Sequence, residues 1–89
     1  MSVLEDVAQA VLAGEDEEVP GLILRALAEG VAADAILNQG LLAGMAEVGR
    51  RFRECEYFIP EVLVSAGAMK AGMNALRPEL RSEEHTSEL

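Results

Sequence analysis

Few residues of this chain have side chains that could do chemistry. There is one cysteine, Cys55, and one histidine, His85, and the two are far apart in sequence. The sequence has no CxxC pair, HExxH zinc motif, glycine-rich phosphate loop or Ser–His pair. The acidic residues Glu54 and Glu56 could act as acid and base, but no pattern places them across a cleft, and exposed carboxylates are common. The sequence therefore predicts no catalytic residue and no metal ligand.

The charge and hydropathy pattern argue against two classes of partner, nucleic acids and membranes. The formal net charge is −9 at pH 7, whereas binding to nucleic acid needs a basic face. Arg50, Arg51 and Arg53 stand close together, but the apolar residues between them indicate the solvated side of a helix. No apolar run reaches the ~20 residues of a membrane span. No secretion signal is visible, and a single cysteine fits a reducing compartment. We expect a cytoplasmic protein that binds neither nucleic acid nor membrane.

The last residues, 81–89, differ from the rest of the chain. They read RSEEHTSEL and contain one apolar residue, Leu89. The stretch lacks a helical pattern and resembles the in-frame translation of a common sequencing adapter. An ordinary disordered terminus is the alternative. We predict one helical domain over 1–80 and an artefactual disordered tail over 81–89, in which His85 is no ligand. On this interpretation the natural protein continues past Leu80.

Apolar periodicity predicts helices separated by short connections, and the first two have clear ends. The first helix starts with a capping box at Ser2 and Glu5 and ends at Gly14. The second starts near Pro20, which a first helical turn tolerates, and ends at Gly30. The residues that the second helix is expected to bury are Ile23, Leu24, Leu27 and Ala28.

A third helix is expected to start near Ala32 or Ala33, with Asp34 as an alternative cap. It runs to about Phe52. It contains three glycines, each of which weakens a helix by ~1 kcal/mol relative to alanine. Their density indicates the close approach of another backbone, or a bend near the first of them. These glycines are Gly40, Gly44 and Gly49.

The last helix follows a connection over residues 53–58. Pro60 fits its first turn, and Pro78 lies beyond its expected end near Leu76. An apolar stripe with alternating spacings of three and four predicts the seam that faces the bundle. Together the segments predict an all-α fold, a four-helix bundle. The stripe consists of Ile59, Val62, Ala66, Met69, Met73 and Leu76.

Residues 41–80 contain a longer series of motifs with a fixed spacing. The series is Gly-Met, Val-Gly, Phe, Glu-x-Phe-x-Pro-Glu and Ser-Ala-x-Ala-Met. It strongly resembles the helical cap of cobalamin-binding methyl-transfer proteins, namely methionine synthase and the corrinoid proteins of methylamine and methanol metabolism. The resemblance implies the same four-helix bundle that the periodicity predicts. The motifs stand at Gly44-Met45, Val48-Gly49, Phe52, Glu56 to Glu61, and Ser65 to Met69.

The resemblance also implies a role for three residues. In that family the bundle covers the upper face of the corrin ring, and its apolar side chains cover the cobalt-bound methyl group. By position these residues are Phe52, Ile59 and Val62, although their stripes alone fit plain core packing. We expect exposed apolar surface around Phe52 and Ile59.

The cofactor implied by the resemblance is cobalamin, as methylcobalamin. The family holds it mainly in a following α/β domain, whose Asp-x-His-x-x-Gly motif is absent from this chain. The implied partners are therefore that domain and the methyltransferases that donate and accept the methyl group. The bundle itself would be non-catalytic, and whether the natural protein is an enzyme stays open.

Two departures from the family and two alternative functions remain. Cys55 stands where the family often has glycine, and Pro20 is unusual in the second helix. Light-sensing or cobalamin-responsive transcription regulators use a related bundle, with Trp at the position of Phe52 and Glu and His at those of Val62 and Leu63. This departure favours methyl transfer. A cofactor-free helical interaction module is the other alternative, but it leaves the motif series unexplained.

Overall fold

The structure is a computed structural model that describes residues 2–83. Within this range every regular element is helical. The segments between Ala33 and Arg53 form one continuous rod, because Ile36 and Leu42 keep right-handed helical backbone at both junctions. The architecture is therefore the predicted four-helix bundle. Its elements are α1 (Val3–Ala13), α2 (Val19–Ala28), α3 (Ala33–Ile36), a π-helical segment (Leu37–Leu41), α4 (Leu42–Arg53) and α5 (Ile59–Glu83).

Both predicted ends of α1 are confirmed. The hydroxyl of Ser2 accepts a hydrogen bond from the Glu5 amide, and the Glu5 carboxylate accepts one from the Ser2 amide, both at 3.2 Å. These contacts satisfy two amides that the first turn leaves without helical partners. Gly14 ends the helix with φ 75°, a left-handed conformation that glycine adopts without steric cost.

The second helix starts at Val19, one residue before Pro20, and ends at Ala28. The proline fits there because the first-turn amide it lacks would have no helical partner. The prediction that Leu24 and Ala28 are buried is wrong, since both are exposed. The helix instead buries the side that carries Val19, Ile23 and Ala26.

Two glycines of the continuous rod, Gly40 and Gly44, allow α1 to approach closely. The predicted close approach of another backbone is therefore confirmed. A Cβ atom on Gly44 would lie 2.8 Å from the carbonyl oxygen of Ala8 and 2.9 Å from the Cβ of Val11. A Cβ on Gly40 would lie 3.0 Å from a methyl group of Val7. Near Gly40 the helix changes to the π form over Leu37–Leu41. The rod therefore packs against α1 through backbone that has no side chain in the way.

The last helix differs from its prediction in length. It continues through Pro78 to Glu83 and does not end near Leu76. A proline removes one backbone hydrogen bond and strains the helix, but it does not have to end it. Residues 84–89, with His85, lie outside the described residues, so the artefactual tail over 81–89 stays a prediction.

The predicted seam of α5 is also partly wrong. Ile59 and Ala66 are exposed, and the side facing the bundle is instead rich in small residues. Small residues let α5 pack closely on α2, and a Cβ on Gly72 would lie 2.8 Å from a methyl group of Val19. Among residues 59–79, those that α5 buries are Ser65, Ala68, Gly72 and Leu76. No helix among residues 2–83 is long and apolar enough to cross a membrane.

Candidate functional site

Large apolar side chains are exposed where α4 ends and α5 begins. Phe52 lies in the last turn of α4, Phe58 directly precedes α5, and Ile59 and Leu63 lie in its first turns. Their exposed fractions are 45%, 65%, 62% and 65% in that order. We call these four residues the apolar face. Exposed apolar residues that cluster in this way mark a surface that another surface covers.

One side of α5 continues this face for about two turns. Ile59 and Leu63 are four residues apart and therefore lie on the same side of the helix. The exposed small residues Ala66 and Gly67 follow on that side. Lys70 is the next exposed residue there, and it ends the apolar surface. The face is thus confined to the end of α5 nearest α4.

The three residues that the resemblance assigns to covering the methyl group differ in exposure. Phe52 and Ile59 lie on the apolar face, which confirms that apolar surface is exposed around them. Val62 is only half-buried and lies next to the side that packs on the bundle. Phe58 and Leu63 were not predicted to be part of this exposed surface. The spacing of Ile59 and Leu63 was a signal for the latter, since residues four apart share a helix side.

Residues 54–58 form a tight connection that joins the two halves of the face. The Cys55 amide donates a hydrogen bond to the carbonyl of Phe52 at 3.1 Å. The amides of Glu56 and Tyr57 both donate to the carbonyl of Arg51, at 2.8 and 3.2 Å. Cys55 has φ 66°, the left-handed region that favours glycine. This backbone explains why a glycine would suit the position.

Three hydrogen bonds fix the start of α5. The Phe58 amide donates to the Glu61 carboxylate at 2.7 Å, which is half of a capping box. The hydroxyls of Tyr57 and Ser65 both donate to the carbonyl of Leu12, at 2.8 and 3.1 Å. Leu12 lies in the last turn of α1, where carbonyls lack helical partners. The apolar face is therefore held to α1 as well as to α4.

An ion-pair group lies on the last two turns of α4. The Glu47 carboxylate accepts hydrogen bonds from Arg50 at 2.6 and 3.1 Å and from Arg51 at 2.8 Å. The hydrogen bonds from Arg50 and then Arg51 lower the pKa of Glu47 to about 2. The same contacts raise the pKa of both guanidinium groups. Arg50 also pairs with Glu54 at 3.1 Å.

Glu47, Arg50 and Arg51 thus have structural partners within α4 itself. Arg51 additionally lies over the ring of Tyr57, 5.8 Å from its centroid. No group of histidine, cysteine or carboxylate side chains within the described residues could hold a metal ion. The surface can offer hydrocarbon contact to a ligand, and no residue on it is placed to act as an acid, base or nucleophile.

Comparison with known proteins identifies the fold and the family. A model of the family described as "B12 binding domain" matches residues 3–77, which include the whole apolar face. The chain belongs to the B12 binding domain family. The solved structure of the Methanosarcina barkeri monomethylamine corrinoid protein matches with a TM-score of 0.86 and 35% identity, over 89% of this chain and 37% of that chain. The match confirms the helical cap fold of corrinoid proteins.

Curated relatives give the same result. A corrinoid protein of Desulfitobacterium hafniense is 36% identical over 80 residues, which cover 90% of this chain and 37% of that protein. Trimethylamine corrinoid protein 1 of Methanosarcina mazei is 33% identical over 82 residues, covering 92% of this chain and 38% of that protein. The chain therefore spans less than two fifths of the length of these relatives.

Proposed function

We propose that this chain is the cap module of a corrinoid methyl carrier. Its apolar face covers the upper face of methylcobalamin and shields the methyl group bound to cobalt. The observation that carries this proposal is the exposure of both phenylalanines of the chain, with Ile59 and Leu63, on one surface. Phe52 and Ile59 are the main contact residues, and Val62 contributes at the edge.

The chemistry of the face fits this role. Phe52, Phe58, Ile59 and Leu63 present only hydrocarbon, so they can cover a ring without ligating its metal. Light breaks a methyl–cobalt bond, and nucleophiles displace the methyl group from cobalt. A dry apolar cover limits the access of water and competing reactants. The cover must also move aside so that the methyl group can reach its donor and acceptor. That movement is a gating step.

In this proposal, other domains and proteins hold the cobalamin and transfer the methyl group. A downstream α/β domain holds the cobalamin and supplies the residue beneath the cobalt. Methyltransferases donate and accept the methyl group, in the cytoplasm, where the exposed thiol of Cys55 stays reduced. This chain contributes shielding and no catalytic group.

The first test titrates the purified chain with methylcobalamin and follows the corrin absorbance. We expect weak binding or none, because one apolar face offers contact to only one side of the ring. Submicromolar affinity would contradict the proposal that the downstream domain, and not the cap, holds the cobalamin.

The second test places the chain in a context that can hold the cofactor. This chain replaces the corresponding segment of the M. barkeri monomethylamine corrinoid protein, and the chimera is loaded with methylcobalamin. Anaerobic photolysis of the bound cofactor is then measured for the chimera and for its Phe52→Ala and Ile59→Ala variants. We expect both variants to lose methyl faster, because water and scavengers reach the cobalt more easily.

The chain offers a matched control for this experiment. Leu24 is 59% exposed, close to the 62% of Ile59, but it lies on α2, away from the apolar face. Leu24→Ala should leave the photolysis rate unchanged. Equal rates in all variants, or an equal effect of Leu24→Ala, would count against the proposal.

A further inference from the structure

The connection between the two halves of the apolar face has few contacts of its own. Glu54, Cys55, Glu56 and Phe58 are exposed, and only Tyr57 is half-buried. The amides of residues 54–57 donate to carbonyls of α4, while Phe58 forms hydrogen bonds with Glu61 and Val62 in the first turn of α5. Within residues 54–57 the backbone hydrogen bonds therefore tie the connection to α4. Cys55 holds a left-handed conformation that is unfavourable for a residue with a side chain. Such a turn tends to relax unless another contact fixes it.

Tyr57 supplies that contact. Its hydroxyl donates to the Leu12 carbonyl at 2.8 Å, across 45 residues of sequence. Its ring lies under the guanidinium of Arg51, which is itself held by Glu47 at 2.8 Å. Tyr57 thereby joins the end of α1, the end of α4 and the start of α5.

Ser65 makes a similar hydrogen bond but has a different position. Its hydroxyl also donates to the Leu12 carbonyl, at 3.1 Å, and the residue is buried in the body of α5. Losing either hydroxyl leaves the carbonyl with one donor. Only Tyr57, however, lies in the connection itself. The two residues therefore form a matched pair that separates positioning from general packing.

We propose that Tyr57 is a positioning residue, whose hydrogen bond to the Leu12 carbonyl holds Phe52 and Ile59 in one fixed arrangement relative to α1. The bond sets the apolar face in its covering geometry before a ligand arrives. This role rests on the proposed shielding of methylcobalamin. Tyr57 itself touches no part of the ligand in this scheme and acts through the residues on either side of it.

The first experiment uses the chain alone and measures amide hydrogen exchange by NMR. Tyr57→Phe removes only the hydroxyl and keeps the ring under Arg51. We expect exchange at residues 54–58 to become about fivefold faster, the ratio that one ordinary hydrogen bond supplies. Amides of the α1 core, such as that of Val11, should change little. Ser65→Ala should not accelerate amide exchange at residues 54–58 more than it does in the rest of the chain.

Two results of this experiment would overturn the proposal. One is unchanged exchange at residues 54–58 in Tyr57→Phe. The other is a uniform acceleration across all amides, because it would show that Tyr57 contributes only to global stability.

The second experiment measures photolysis of methylcobalamin in the chimera described above. Tyr57→Phe should accelerate loss of the methyl group by less than Phe52→Ala does, and Ser65→Ala should have no effect. If Phe52→Ala accelerates photolysis but Tyr57→Phe does not, the positioning role is wrong and the shielding function stands. If neither variant changes photolysis while residues 54–58 exchange faster, the shielding function is wrong, although Tyr57 still tethers the connection.

Discussion

Two regions of the molecule are rich in hydrocarbon: the contact between α1 and α4, and the apolar face where α4 ends and α5 begins. The apolar side chains of these two regions differ in size. At the first contact, Gly44 lies against the backbone of Ala8, and the neighbouring core residues are valine, isoleucine, leucine and alanine. At the second, two phenylalanines are left in water. Close helix packing leaves little room for an aromatic ring inside, so the largest apolar side chains lie outside.

The difference indicates that the apolar residues that stabilise the fold are separate from those proposed to cover the cofactor. Burying a phenylalanine side chain would contribute roughly 1.5–3 kcal/mol to folding. Phe58, at 65% exposed, forgoes most of this gain, and Phe52, at 45% exposed, forgoes a little under half of it. The buried region can therefore be changed with a large cost in stability, and the exposed region with a small one.

The strongest test of this difference compares two truncations. Leu41 is fully buried, and Leu41→Ala should lower the free energy of unfolding by about 3 kcal/mol, through lost burial and the cavity it leaves. Phe52→Ala should lower it by about 1 kcal/mol, because the residue is 45% exposed and its truncation loses only part of the burial of a core phenylalanine. Urea unfolding followed by circular dichroism measures both. Similar losses in the two variants would show that Phe52 belongs to the core.

A second test compares two glycines. At Gly44 a Cβ would lie 2.8 Å from a backbone oxygen that cannot move aside, so Gly44→Ala should destabilise the chain by roughly 1–3 kcal/mol. No atom lies within 4 Å of a Cβ on Gly67. Gly67→Ala should therefore stabilise α5 by up to ~1 kcal/mol, since alanine favours helix. If both variants changed stability in the same direction, the close approach of α1 and α4 would be in doubt.

The connection between α4 and α5 allows a third test. Cys55→Gly should raise the free energy of unfolding by about 1 kcal/mol, because glycine adopts φ 66° without steric cost. Cys55→Ala keeps the Cβ and serves as the control, with no such gain expected. A melting temperature that rises equally in both variants would point to the thiol and not to the backbone.

The smallest expected effect concerns pH. The arginines lower the pKa of Glu47 to about 2 from an ordinary value of 4.5, so its ion pairs stabilise the fold above about pH 4.5. That contribution is lost as the pH falls from 4.5 towards 2. Glu47→Gln should lower the melting temperature only slightly at pH 7, since partly exposed ion pairs are screened by solvent. The difference should shrink progressively as the pH falls from 4.5 towards 2. Glu17→Gln removes a similar charge from an exposed turn and should show no such pH dependence.

Local signals in the sequence were enough to predict the ends of α1 and the approach at Gly44. A capping box and a terminal glycine act through contacts within a few residues, so no knowledge of the rest of the fold is needed. The resemblance then placed Phe52 and Ile59 correctly as exposed residues. Periodicity alone would have assigned both to the core, because an apolar residue on a stripe is ordinarily taken as buried.

Two of the errors have the same physical cause. The apolar stripes of α2 and α5 predicted Leu24 and Ile59 as buried, whereas Ala26, Ala68 and Gly72 are the residues buried there. Where helices pack closely, a small residue is buried because nothing larger fits, and its hydrophobicity does not reveal this. Phe58 and Leu63 were missed for the same reason, since their exposure depends on which side of α5 faces the bundle.

The π-helical segment Leu37–Leu41 has a consequence for the direction of Phe52. A π turn accommodates one residue more than an α turn, so it acts as a one-residue insertion in an otherwise regular rod. Without that residue, everything from Leu42 to Arg53 would be rotated by about 100° around the helix axis. Gly44 would then turn away from α1, and Phe52, about two turns further along α4, would turn with it. One inserted residue thus sets the rotation of α4, with both Gly44 and Phe52, relative to the first turn of the rod.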